Sequence, residues 1–169
     1  MKKKIVLILL LSFFYIPVSA ELYDKEETLN KISENIPALK NINCKFRQEK
    51  QTSNIVLKSS GDFVFDKNKG VIFYTTYPIK STTSYTTREY RQINSIITAI
   101  SNKSYSKLEK DFKFYFQKQD GVWTLALMPK STSQVYNYLK TIEISGGNDK
   151  INKIMILTCD KMKTTIWFI

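Results

Sequence analysis

Residues 60–78 constrain the fold most, because apolar and polar side chains alternate there on both sides of a polar turn. Phe63 and Phe65 fall on one face of a first strand, and Val71 and Phe73 fall on one face of a second. Alternation with a period of two is typical of a strand with one buried face, and the intervening Asp-Lys-Asn-Lys-Gly run is typical of a turn. The segment therefore predicts an antiparallel hairpin that ends at a proline.

The same alternation recurs along most of the chain. It predicts strands at residues 42–48, 55–65, 71–77, 82–90, 94–100, 112–117, 123–129, 140–145, 153–159 and 164–168. Helices are expected at residues 24–35, where Asp24 and Glu27 resemble a capping box, and at residues 104–110. A meandering antiparallel sheet of this many strands curls or closes. We expect an α+β fold: a strongly curved antiparallel sheet, or incomplete β-barrel, with helices covering its concave face.

The first 20 residues have the pattern of a secretory signal peptide. Three lysines precede an apolar run, and Val18, Ser19 and Ala20 supply small side chains at the cleavage site. An uncleaved membrane anchor is the alternative, but the apolar run is shorter than the ~20 residues that span a bilayer. We therefore expect residues 1–20 to be removed and residues 21–169 to form one exported, soluble domain.

The chain is strongly basic, with a formal net charge of +11 that falls to +8 without the three lysines of the predicted signal peptide. A basic exported protein could meet anionic lipid headgroups, acidic glycans or an acidic partner. The lysines are spread along the whole chain, so a simple solubilising role is the alternative. The export signal and the lack of a nucleic-acid motif argue against nucleic acid as a partner.

The chain contains no histidine, which excludes Ser–His and Cys–His nucleophile pairs and His-ligated zinc. Turn chemistry explains the acidic residues near predicted strand ends, which are Asp62, Asp66, Glu143 and Asp160. We therefore predict a protein that is not an enzyme and has no catalytic residue, metal or cofactor.

Two cysteines, Cys44 and Cys159, lie far apart in the sequence. An oxidising compartment would permit a disulfide between them, and two free buried thiols are the alternative. The sequence leaves both states open.

Several motifs, in order and spacing, resemble those of the LolA-like family of outer-membrane lipoprotein carriers. Phe46-Arg47-Gln48 and the gapless segment 61–78 are similar to its F-x-Q strand and its first long hairpin. Residues 111–116 and 123–130 look like its second half, with a W-x-L-x-L-x-P-K strand, and residues 164–168 look like its closing T-x-I-x-F strand. Where this chain departs from the motifs of the lipoprotein carriers, it resembles a branch of the family that is associated with glycolipid or fatty-acyl pathways.

The resemblance implies a periplasmic carrier whose half-barrel shields the acyl chains of a lipoprotein or lipid and delivers them towards the outer membrane. It also implies an inner-membrane donor complex and an outer-membrane acceptor, and a carrier that works as a monomer. The alternative is a non-transporting lipid-binding or adaptor subunit of a lipid or glycolipid export assembly.

The resemblance also implies a set of lipid-binding side chains, although each would serve equally as an ordinary core residue. The set comprises Phe46, Phe63, Phe65, Val71, Phe73, Phe112, Phe114, Trp123 and Leu125, with Ile142 and Ile154 as further candidates. Lys67 aligns with the family's lid-holding arginine, but a lysine lacks the planar fork of donors. Replacing Phe65 or Phe73 by Glu is expected to abolish lipid loading while leaving the fold largely intact.

Overall fold

Nine antiparallel strands form one open sheet in the computed structural model, which describes residues 22–66, 68–84 and 88–169. The strands are β1 (Ile42–Gln51), β2 (Val56–Asp66), β3 (Gly70–Tyr77), β4 (Ser81–Ser84), β5 (Phe112–Gln119), β6 (Val122–Pro129), β7 (Leu139–Gly147), β8 (Lys150–Thr158) and β9 (Lys163–Phe168). Their order across the sheet is β4-β3-β2-β1-β9-β8-β7-β6-β5. The predicted α+β class with a large antiparallel sheet is confirmed, whereas the predicted signal peptide at residues 1–20 lies outside the described residues.

The sheet consists of two meanders that meet at its centre. Strands β1 to β4 form one meander and strands β5 to β9 form the other, and the only pairing between them joins β1 to β9 within the described chain. This pairing runs from Phe46 opposite Phe168 to Gln51 opposite Lys163. Backbone hydrogen bonds of 2.9 and 3.3 Å between Lys45 and Ile169 extend it. Local hairpins therefore build each half, and one long-range contact joins the halves.

Two hairpin turns show why the polar turn signals were informative. In the β2–β3 turn, the Asp66 carboxylate accepts the backbone N–H groups of Asn68 and Lys69 at 2.8 and 3.1 Å. In the β5–β6 turn, Asp120 and Gly121 have φ angles of 49° and 78°. Two consecutive positive φ angles define the two-residue hairpin turn that Asp-Gly favours, because glycine has no Cβ to clash there.

Three helices accompany the sheet in the described residues: α1 (Leu29–Asn35), α2 (Arg88–Asn102) and α3 (Ser106–Glu109). The predicted capping box is wrong, since α1 begins at Leu29 and the Thr28 hydroxyl accepts the N–H of Lys31. Before it, Glu26 forms a β-bridge with Tyr115, which holds the chain extended beside the edge strand β5. The short helix expected at residues 104–110 is confirmed as α3.

Helix α2 corrects two strand predictions. Of the strand expected at residues 82–90, residues 82–84 belong to β4 and residues 88–90 begin α2, and the strand expected at residues 94–100 is helical. Isoleucines recur there at spacings of three and four, which places them on one side of a helix: Ile93, Ile96, Ile97 and Ile100. Burial of that stripe outweighs the preference of β-branched side chains for strands.

One face of the sheet and the apolar sides of α1 and α2 belong to a single buried core. Register aligns inward side chains of successive strands into rows, such as Leu125, Ile144, Ile154 and Ile166 across β6 to β9. Each fully buried aliphatic side chain contributes about 1.5–3 kcal/mol to folding. The two helices are also tied to each other, because Lys103 Nζ, just after α2, donates to the carbonyl oxygens of Ser33 and Ile36 at the end of α1.

The two ends of the sheet carry different connections. At one end, here called the cavity end, lie the connections 51–56, 77–81, 129–139 and 158–163. At the opposite end lie the turns 66–70, 119–122 and 147–150.

Candidate functional site

A cavity of about 350 Å³ lies between the sheet and the second turn of α2. Strands β1, β7, β8 and β9 supply its floor, and Gln92 and Ile93 of α2 lie across from them. Its full lining is Gln48, Lys50, Gln92, Ile93, Asn137, Tyr138, Leu139, Ile142, Ile156, Thr158, Cys159, Asp160, Met162, Thr164 and Ile166.

The floor of the cavity is apolar because the strand register gathers isoleucines from three strands. Ile142 of β7 pairs with Ile156 of β8, and Ile166 of β9 lies one row away. Ile93 and Leu139 complete this apolar part. Such a surface binds hydrocarbon rather than polar ligands, because apolar groups gain free energy by leaving water.

The rim of the cavity is polar and lies at the cavity end of the sheet. Asn137, Cys159 and Asp160 are exposed there, which marks the mouth. The Asp160 carboxylate accepts the hydroxyl of Thr158 and the N–H of Met162. The Thr158 hydrogen bond, then that of Met162 and a smaller effect of the Lys50 charge, lower the pKa of Asp160. A charged, hydrogen-bonded rim therefore surrounds an apolar interior.

The nine predicted lipid-binding residues lie elsewhere, in the closed core. All are buried, and none lines the cavity. Phe73 stands edge-on to Phe46 with ring centroids 5.1 Å apart, and it contacts Phe63 at 4.9 Å. The further candidate Ile142 does line the cavity, whereas Ile154 is buried beside it. The nine predicted residues thus lie on the inner face of the sheet, whereas other residues line the cavity.

The second half of the predicted set is buried in the same way and includes an unusual polar group. Phe112, Phe114, Trp123 and Leu125 line the inner face of β5 and β6. The Trp123 indole N–H has no hydrogen-bond partner, and neither does the Tyr105 hydroxyl, within the described part of the chain. Burial raises the pKa of Tyr105 to about 12.

The two cysteines are free thiols, so the disulfide considered between them is not formed. Cys44 lies near the start of β1, whereas Cys159 lies beyond the end of β8 at the cavity end. Seven residues of strand separate Cys44 from Gln51, the β1 residue nearest that end, which amounts to roughly 24 Å. A disulfide requires Cα atoms within about 7 Å. Lys67, the predicted lid contact, lies outside the described residues.

The acidic side chains near strand ends have structural partners. Asp62 pairs with Lys45 across β1 and β2, and Glu143 accepts the Tyr23 hydroxyl at 2.7 Å. Burial, and then the hydrogen bond to Glu143, raise the pKa of Tyr23. No group of three or more potential metal-ligating His, Cys, Asp or Glu side chains occurs in residues 22–66, 68–84 and 88–169.

Sequence reasoning missed most of the cavity lining. The missed residues come from β1, β7, β8, β9, α2 and two connections, and the apolar ones include Ile93, Ile156 and Ile166. The spacing of the isoleucines in α2 could have indicated a helix with one buried side. No local signal could have shown that β9 pairs with β1, which is the contact that places these side chains around one space.

No known protein-family model matches the chain, and no curated protein matches it. Within the described residues, none of the helices has the length and apolarity needed to cross a membrane.

Proposed function

We propose that this protein is a periplasmic carrier that shields the acyl chains of a lipoprotein or lipid and delivers them towards the outer membrane. The observation that supports the proposal most directly is the 350 Å³ cavity, whose isoleucine floor lies on one face of a large open sheet. In this proposal the sheet acts as an incomplete, curved barrel. Helices α1 and α2, tied through Lys103, act as its movable cover.

The size of the cavity limits what the closed form can hold. At about 350 Å³ it lies near the lower end of the ~300–1,000 Å³ range of small-molecule sites. Each buried CH₂ contributes ~0.8 kcal/mol, so a chain that buries about ten of them gains ~8 kcal/mol before ordering costs are subtracted. One acyl chain, in whole or in part, is therefore the cargo of the closed form.

A multiply acylated cargo requires a larger space, and the core offers one. If α2 moves away from the sheet, the inner-face aromatics become the continuation of the cavity floor. In that open state the predicted set around Phe63 and Phe73 would contact acyl chains directly. Binding would then shift the equilibrium between closed and open forms, because only the open form accommodates the larger cargo.

The polar rim fits a ligand with a polar end. Lys50 and Asp160 lie where a headgroup or the first residues of a lipoprotein would leave the cavity. Carriage between membranes also calls for an inner-membrane donor complex and an outer-membrane acceptor, with the carrier acting as a monomer and without catalysis. The second candidate function is a fixed lipid-binding or adaptor subunit of a lipid or glycolipid export assembly, which the same cavity would serve.

The test uses a variant in which a bulky side chain on the floor of the cavity fills it. Ile156→Trp adds a large side chain at a position that lines the cavity. The control, Met155→Trp, adds the same side chain at the preceding residue of β8, whose side chain points to the opposite face of the sheet. We expect protein purified after export to co-purify with an extractable acylated lipid in native mass spectrometry. We expect a fluorescent fatty acid to bind at least about tenfold more weakly to Ile156→Trp than to Met155→Trp.

Absence of any acyl ligand, together with no binding on add-back of phospholipid and lipoprotein, would contradict a lipid-binding role. Equal binding by the two tryptophan variants would contradict this cavity as the site. A vesicle-to-vesicle transfer assay separates the two candidate functions: a carrier accelerates movement of labelled lipid between two membranes, and a fixed subunit does not.

A further inference from the structure

The tip of the β1–β2 hairpin exposes three consecutive large hydrophobic side chains. Ile55, Val56 and Leu57 are 58%, 50% and 60% exposed. The tip is closed by a hydrogen bond of 2.9 Å from the Thr52 N–H to the Ile55 carbonyl oxygen. Scattered exposed apolar residues are normal, but a contiguous exposed group marks an interaction surface.

The hairpin tip extends beyond its neighbours in the sheet. On one side β3 pairs with β2 only as far as Ser60, so residues 56–59 pair with β1 alone. On the other side β9 begins opposite Gln51, which leaves residues 52–55 beyond it. The tip therefore extends past the paired ends of β3 and β9 in the described structure.

Other exposed hydrophobic residues lie at the same end of the sheet. Tyr77 and Ile79 occupy the β3–β4 connection, and Tyr136 lies in the connection before β7. Of the ten large hydrophobic side chains exposed within the described residues, six lie at the cavity end. This concentration distinguishes the cavity end from the rest of the surface.

The charges around the hairpin tip are mainly positive. Lys50 and Lys58 flank it in β1 and β2, and Lys161 and Lys163 approach from the β8–β9 connection. Glu49, which pairs with Lys58 at 3.3 Å, and Asp160 are the nearby acids. Apolar side chains bordered by an excess of lysine suit the surface of a bilayer with anionic lipids. Lysine is depleted from protein–protein interfaces, which disfavours a protein as the partner.

We propose that the hairpin tip, residues 52–57, inserts into the interfacial region of an anionic lipid bilayer and that the surrounding lysines contact the phosphates. Lys50 lines the cavity and pairs with Leu57 of the tip. Insertion of the tip therefore brings the mouth of the cavity to the headgroup layer. Docking goes beyond the proposed carrier function and does not depend on what the cavity binds.

The test compares a tip variant with a matched variant elsewhere on the surface. The tip variant replaces Ile55, Val56 and Leu57 by Ser. The control replaces Tyr74, Val122 and Ile169 by Ser, three exposed hydrophobic residues outside the cavity end. Binding is measured by co-sedimentation with vesicles of phosphatidylethanolamine and phosphatidylglycerol, and with vesicles of phosphatidylcholine alone, using protein purified after export.

We expect the unmodified protein and the control to bind the anionic vesicles, and the tip variant to bind at least about tenfold more weakly. We also expect binding to weaken as salt is added, since salt screens the lysine–phosphate attraction. Failure of the unmodified protein to bind anionic vesicles, or equal binding by the tip variant, would overturn the proposal. Equal binding to phosphatidylcholine would overturn the role of the lysines.

The cavity variant Ile156→Trp separates this proposal from the carrier proposal. If docking is independent of cargo, that variant binds vesicles as tightly as the unmodified protein while losing the fluorescent fatty acid. The tip variant shows the reverse pattern. Loss of vesicle binding in Ile156→Trp with an unchanged melting temperature would contradict independent docking.

Discussion

Phe73→Glu tests whether the inner face of the sheet is a closed core or a permanently open lipid surface. Phe73 is 1% exposed and contacts two other phenylalanine rings. This burial changes the expectation drawn from the sequence, that glutamate at Phe65 or Phe73 would abolish lipid loading and leave the fold largely intact. With the structure in hand, we expect the fold itself to fail.

The magnitude follows from two contributions. Removing a buried aromatic side chain costs ~3–5 kcal/mol. An unpaired carboxylate in a fully buried position has its pKa raised from about 4.3 to about 7 or above, so at pH 7 its ionisation in the unfolded state costs the folded state about 3.5 kcal/mol. The sum, about 6.5–8.5 kcal/mol, is comparable with the whole free energy of unfolding of a typical domain, ~5–15 kcal/mol.

The second contribution depends on pH with a definite sign. The carboxyl introduced by Phe73→Glu has a folded-state pKa above its unfolded value of about 4.3, so the folded state binds its proton more tightly. The added cost is therefore absent below about pH 4 and grows as pH rises towards the folded-state pKa. Phe73→Leu, which adds no charge, should show a smaller loss without this pH dependence.

The assay is urea unfolding followed by circular dichroism, with the unmodified protein, Phe73→Leu and Phe73→Glu compared at acidic and neutral pH. We expect Phe73→Glu to be largely unfolded near neutral pH and partly recovered in acid, relative to the unmodified protein. A Phe73→Glu protein that folds at neutral pH with nearly unchanged stability would refute the closed core. It would show that this face is open to solvent or cargo without any movement of the helices.

Three further predictions concern packing and the free thiols. Gly61→Ala should lower the free energy of unfolding by at least ~1–3 kcal/mol, because its Cβ would lie 2.0 Å from a backbone oxygen of β3. Gly147→Ala should cost less, because the atom nearest to its Cβ is 3.5 Å away. Equal losses of the two variants in urea titration would contradict this. Tyr105→Phe should leave stability unchanged or raise it by up to ~1 kcal/mol, since the buried hydroxyl has no partner, and a clear loss in thermal unfolding would reveal a partner. Ellman's reagent should detect free thiols in the native protein, with the exposed Cys159 reacting first. Burial raises the pKa of Cys44, so its reaction should become faster as pH increases. An intact mass lower by two hydrogens would instead indicate a disulfide.

The sequence predicted the locally encoded parts of the fold. The β5–β6 hairpin could be read directly, because Asp120 and Gly121 supply the turn and Phe112, Phe114 and Leu125 supply the alternation. Helix α2 was misread because its isoleucines have high strand propensity, and only their burial against the sheet selects the helix. Prediction from the local sequence was therefore reliable where the turn residues and the period-two alternation both indicated a hairpin.

The candidate site could not be predicted, because it depends on which strands become neighbours. Ile142, Ile156 and Ile166 meet only because β7, β8 and β9 pair in a particular register. The alternation in each strand shows that one face is buried, but it is the same for a residue in a closed core and one beside a cavity. Which residues line the cavity also depends on where Gln92 and Ile93 of α2 lie relative to these strands.

The pairing of β1 with β9 at the centre of the sheet has a consequence for the order of folding. β1 lies far ahead of β9 in the chain and emerges first, so the first meander can form early while the inner edge of β1, from Phe46 to Gln51, has no partner. An unpaired edge of this length is a template for pairing with other chains. Contacts between segments so distant in sequence also form slowly. Nascent chains therefore need protection at β1 until the last strand arrives, and deletion of β9 should yield an aggregating half-sheet rather than a smaller folded protein.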